Sequence, residues 1–128
     1  MLLNDQRFNK MDVIICEFGG DFIGGNADRV LQDSDIMKYV SGIVLTYYDL
    51  AGIIAANRMW EEWGINLNTT YIAHNIFRNI TAINQRLEYW RIPFEAFNVN
   101  KKEEQIRLSK KILNEVVGGE NESNKFNT

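Results

Sequence analysis

The groups in this chain able to do chemistry are few: Asp49, Arg86, His74, Glu61, Glu62 and Arg58, with one thiol at Cys16. Asp49 is the most informative of them. It is the only charge between Val40 and Ala56, and a carboxylate in so apolar a run sits either at a break in burial or beside a partner. Asp49 with Arg86, or His74 with Glu61 or Glu62, would form a pair able to hold a polar ligand or move a proton in a cleft. The same pairs serve equally well as buried ion pairs that fix how two helices register. His74, Arg78, Thr81, Gln85 and Glu88 also recur at helical spacing, as the residues of a solvated face do.

Other chemistries lack their residues. One histidine, one cysteine and no Glu-x-x-His leave neither a zinc site nor the carboxylate di-metal pattern of helical bundles, so no metal and no cofactor is expected. No nucleophile stands in a recognisable catalytic pattern, and no catalytic residue is assigned. The run Gly19-Gly20-Asp21-Phe22-Ile23-Gly24-Gly25-Asn26 lacks both phosphate-loop spacings and carries Asp21 where a phosphate would sit. It is expected to be a connection whose Phe22 and Ile23 plug the core.

Among the elements that carry these groups, Ser34 to Trp63 is expected to be one long helix. Ile36, Val40, Ile43, Tyr47, Leu50 and Ile54 recur at steps of four and three, and Val44, Leu45, Ala51, Ile53, Ala55 and Ala56 fill much of the other side. A second helix over 69–91 carries the stripe Ile72, Ile76, Ile80, Ile83, Leu87 and Trp90, capped by Asn68 or Thr69 and ended by Pro93. A link at Gly64 to Asn68 would fold the two into an antiparallel hairpin. That register puts Asp49 near Asn84 and Arg86, Trp90 opposite Gly42, and His74 near Arg58 within reach of Glu61 and Glu62.

The flanks follow the same logic. Asn4 to Phe18 has helical spacing with Gly19 as its stop, and Val13 to Cys16 is a short strand in the alternative reading. Asn26 to Gln32 supplies one or two helical turns, and Asp33-Ser34-Asp35 caps the long helix. Asn100-Lys101-Lys102-Glu103 opens a third helix to Val117, with Ile106, Leu108, Ile112, Leu113 and Val116 inward and Glu103, Arg107, Lys111 and Glu115 as an exposed ladder. The expected fold is an all-α bundle of three to four helices, one domain over 1–117, with a disordered polar tail at 118–128.

Composition bounds the partners. A net charge of −3 over 128 residues, with basic residues scattered, argues against nucleic acid. Tyr39 to Ala56 reaches the lower length limit of a membrane span, but Asp49 near its centre would cost about 2.5–3.5 kcal/mol, so no span is expected. The unpaired cysteine and the polar residues that follow Met1-Leu2-Leu3 fit a cytoplasmic protein without a signal peptide. Fifteen Asn and fifteen Ile suggest AT-rich coding, as in a low-GC bacterium, phage or mobile element. Two functions are then expected from different classes. One is a non-enzymatic interaction or self-assembly module, using Trp60, Trp63, Tyr89, Trp90, Phe94 and Phe97 against another protein or a second copy. The other is a small-molecule or catalytic site between helices, built from Asp49, Arg86, His74, Glu62 and Arg58.

Overall fold

The computed structural model describes residues 12–19, 24–46, 49–74 and 79–117. The fold is mixed α/β, and the all-α bundle expected from the apolar periodicity is overturned by a parallel three-stranded sheet. Helices α1 (Ala27–Gln32) and α2 (Ser34–Met37) precede strand β1 (Ile43–Thr46). Helix α3 (Leu50–Trp63) leads to β2 (Thr70–His74), α4 (Ile80–Tyr89) to β3 (Glu95–Asn98), and α5 (Lys102–Ile112) follows. The strands lie in the order β1-β2-β3, all parallel, with Leu45 beside Ile72 and Ile72 beside Ala96.

The long helix expected over 34–63 is therefore three elements, α2, β1 and α3. Ile43-Val44-Leu45-Thr46 is rich in β-branched residues, and its side chains alternate, Ile43 and Leu45 packing inward while Val44 and Thr46 are exposed. Asp49 ends the strand connection and starts α3, its carboxylate accepting the Gly52 N–H at 2.9 Å. Asp33 does cap a helix, accepting from the Asp35 and Ile36 N–H groups, but that helix is only four residues long. The second expected helix, 69–91, likewise splits. Its first part is β2, and α4 begins at the Asn79 cap, which accepts from Thr81 and Ala82 at 3.0 and 3.3 Å. Because parallel strands need a crossover rather than a tight turn, the antiparallel hairpin does not form.

The sheet has two unlike faces. Ile72 and Ala96 point to the face under α3 and α4, where Ile53, Ala56, Trp60, Ile83 and Leu87 complete an apolar core with Ile92 and Phe94. Trp60 is wholly buried, and its Nε1 donates to Thr70 Oγ1 at 3.1 Å, so the one polar atom of the ring is satisfied. The opposite face carries Tyr71 and Phe97 beneath Leu108 of α5. A π-helical turn, Leu113–Val117, prolongs α5. Val116 of that turn reaches the start of β1, where a Cβ on Gly42 would stand only 3.0 Å from the Val116 side chain.

The third expected helix thus exists, but its orientation differs from expectation. Ile106 and Leu113, assigned inward, are exposed, whereas Arg107 lies over the Phe97 ring at 4.1 Å and Lys111 pairs with Glu95 of β3. Residues 12–18 are neither the expected helix nor the alternative strand. The rest of that helix (4–11), Phe22 and Ile23, Tyr47 of the first stripe, Ile76, Arg78 and the expected tail 118–128 lie outside the described residues. Among the described residues no helix is long and apolar enough to cross a membrane.

Candidate functional site

Two places on this frame collect polar or aromatic side chains. The first is the edge of the sheet at the strand C-termini, where α/β proteins bind ligands. Thr46, His74 and Asn98 end the three strands there, and Asp49 and Asn79 cap the helices that leave them. Both caps are engaged with their own helix N–H groups. Between them lies a shallow groove of about 360 Å³ lined by Leu50, Asn79, Ala82, Ile83 and Arg86. His74 is fully buried and does not line it, and its carbonyl accepts the Val99 N–H at 2.9 Å.

The sequence-expected polar site is thus only partly assembled. Arg86 lines the groove and Asp49 does not, its carboxylate being turned to the Gly52 N–H, and no ion pair joins the two among the described residues. Arg58 and Glu62 are not beside His74. They pair with each other at 3.2 Å on the exposed side of α3, where Glu61 is also exposed. The hairpin register that brought His74 to them does not exist, since β2 runs beneath α3 rather than a helix beside it. Among the described residues no cluster of three or more His, Cys, Asp or Glu could hold a metal.

The second place is the far end of α4. Ile83 and Leu87 hold this helix against the sheet, and Asn84 holds it to the outer edge of β3. The Asn84 amide donates to the Ala96 carbonyl at 3.0 Å and accepts the Ala96 N–H at 2.8 Å, standing in for a neighbouring strand. The helix then closes with Arg91 N–H donating to Glu88 O and Ile92 N–H to Leu87 O, both at 2.9 Å. This turn requires a left-handed residue, and the residue is Arg91 at φ 56°. Burial of Ile92 and Phe94 draws the chain back into the core directly afterwards. The turn is left outside, with Tyr89 80% and Trp90 38% exposed.

The six expected interface aromatics therefore separate by role. Trp60, Phe94 and Phe97 are core, and Trp63 is half-buried, stacked on Trp60 with ring centroids 5.9 Å apart. Only Tyr89 and Trp90 are on the surface. Arg91 completes their group and was not singled out from sequence.

The densest charge lies under α5, and it is structural in form. Glu95 takes hydrogen bonds from Arg107 and Lys111, Arg107 also grips Glu104, and Lys111 reaches Glu115 at 3.3 Å. Burial pushes the Glu95 carboxyl up, but the hydrogen bonds and charges of Lys111 and Arg107 outweigh it and hold the group below the usual range. The Arg107 hydrogen bond does the same for Glu104. Lys111 is raised by its bond to Glu95. Tyr71, desolvated and donating to Glu115 at 2.8 Å, is raised as well. These bonds join α5 and the turn that prolongs it to β2 and β3, and each charged group named in them is engaged with another.

No family model, no curated protein and no solved structure matches the chain. The fold alone defines its class, an α/β domain with crossover helices on one face of a short parallel sheet.

Proposed function

We propose that this chain is a protein-interaction module that associates with a second copy of itself through the α4 tip, Tyr89, Trp90 and Arg91. The observation that carries the reading is a pair of exposed aromatics beside an arginine held in left-handed backbone. Tyr, Trp and Arg are the residues most enriched at interface hot spots. The group is also self-complementary, because a two-fold contact would set Arg91 of each copy over an aromatic ring of the other. Backbone strain retained where glycine would relieve it is consistent with a side chain kept for contact. The proposed compartment is the cytoplasm, where the lone Cys16 would stay reduced.

The test is the mass in solution, by light scattering on a sizing column over a range of concentrations. Association is expected in the native chain and loss of it in the Tyr89→Ser/Trp90→Ser variant, with the circular dichroism spectrum unchanged. A native chain that stays monomeric at every concentration contradicts the reading.

A second reading places a small anion in the α3/α4 groove, favoured by Arg86, which lines it without an ion pair among the described residues. Titration with inorganic phosphate, followed by Arg86→Gln, tests it. The absence of saturable binding discards it.

A further inference from the structure

The sheet is closed on one side and open on the other. Asn84 seals the outer edge of β3, whereas no described strand lies beyond β1, and Val44 of β1 is 48% exposed. Parallel sheets are normally covered on both faces and leave few such edges. In the same chain Val13-Ile14-Ile15-Cys16-Glu17-Phe18 has no regular secondary structure, and its apolar side chains are exposed, Ile15 to 90%. Such a β-branched run has the composition of a buried strand.

The connection between this segment and β1 shows where the segment belongs. Crossovers between parallel strands are right-handed, so strands laid down one after another in one direction keep their helices on one face. β1, β2 and β3 step in that way, with α3 and α4 together on one face. A strand that preceded β1 and lay on its open edge would continue the series only if the helices between them lay on that face too. Helix α1 does: its Leu31 packs against the core formed by α3, α4 and the sheet.

We infer that Val13–Phe18 docks on the open edge of β1 as a fourth, parallel strand of its own sheet. The sheet order becomes segment 13–18, β1, β2, β3, and α1 with α2 forms the crossover. Docking pairs the backbone groups of β1 that face away from β2 and removes most of the exposed apolar area of the segment. It also withdraws β1 from strand addition by other chains, which is independent of the α4 tip.

Cys16 lies within the segment and is the only cysteine of the chain, so it serves as its own reporter. The variants Ile43→Cys, Val44→Cys and Leu45→Cys each create one possible disulfide, since adjacent strands bring Cα atoms within the span a disulfide bridges. Oxidation of the full-length variants with diamide is followed by non-reducing electrophoresis and intact mass. At least one variant is expected to form an intramolecular disulfide in the monomer. Hydrogen exchange on the native chain is expected to show amides 14–17 slowed on the order of 100-fold or more relative to an unstructured peptide. A disulfide joining two chains overturns the inference in favour of a second copy on the edge. No disulfide in any variant together with unprotected amides overturns it in favour of an undocked segment, and protected amides without a disulfide place the segment against some surface other than β1, which overturns it equally.

Discussion

Helices α3 and α4 end in the same turn and differ in the residue that makes it. At the end of α3, Ile65 N–H donates to Trp60 O at 2.9 Å around Gly64, which has φ 70°. At the end of α4, Ile92 N–H donates to Leu87 O at 2.9 Å around Arg91, at φ 56°. In both, the isoleucine after the turn folds back onto the apolar core. Glycine adopts the left-handed conformation at no steric cost, and arginine does not. The α3 turn thus carries no side chain at its left-handed position, while the α4 turn holds a long cationic side chain beside two exposed aromatics at some cost to the fold. That difference separates structure from proposed function on this surface.

The comparison can be broken at its anchors first. Trp60→Ala should destabilise the domain by about 3–5 kcal/mol, through lost burial and the lost hydrogen bond to the Thr70 hydroxyl, and Leu87→Ala by about 2–5 kcal/mol. Urea unfolding reads both. If either turn tolerates loss of its anchor at under about 1 kcal/mol, the shared architecture is wrong. Placing arginine in the glycine turn is the next largest change. Gly64→Arg should cost about 1–2 kcal/mol, since nothing crowds the position and the penalty is that of left-handed backbone.

A control of similar size lies away from both turns, in the charged cover formed by α5. Glu95 has a folded pKa below its unfolded value, so its contribution is fully present above about pH 4.3 and is lost as pH falls through the folded value. Lys111 is raised, so its contribution is present below the unfolded lysine value and lost as pH rises through the folded one. Stability should be flat near neutrality and fall at both extremes. Because the pairs are about a third exposed, Glu95→Gln should cost only about 1 kcal/mol and flatten the acid limb of the urea midpoint. An unchanged acid limb would show that the pairs do not hold α5.

How far the sequence was readable follows from the same elements. The Asp33 cap was legible as a short polar side chain ahead of an apolar pattern, and the helix from about 101 from its amphipathic spacing. The N-cap of α5 is Lys101, however, without the side-chain cap bond that the expected Asn100 to Glu103 box would supply. The sheet was not. β1 is only four residues long and carries the apolar Val44 on its exposed side, so its alternation in burial leaves no alternation in polarity, and Ile43 to Thr46 merged with the start of α3 into one helix-like run. Asp49 was recognised as a break or a partner. The break was the correct alternative, and the Asp-x-x-Gly spacing to Gly52 was its signal. For the candidate site, Tyr89 and Trp90 were named among six aromatics, but spacing alone could not separate them from Trp60, Phe94 and Phe97, whose burial depends on β3. Arg91 was missed because left-handed backbone at an arginine has no sequence signature.

The smaller effects lie at the α4 tip itself. Arg91→Gly should relieve about 1–2 kcal/mol of left-handed strain, offset by about 0.5–1 kcal/mol of added unfolded-chain entropy, leaving a net gain of about 0.5–1 kcal/mol by urea unfolding. Tyr89→Ser, at an exposed position, should change stability by less than about 0.5 kcal/mol. The most direct test of the tip as a contact surface is the dimer dissociation constant of Arg91→Gly beside that of the native chain, by sedimentation equilibrium. The proposal predicts weaker association in the variant although its fold is the more stable one. Equal or tighter association would contradict it, and Arg91 would then be a strained turn residue with no role in contact.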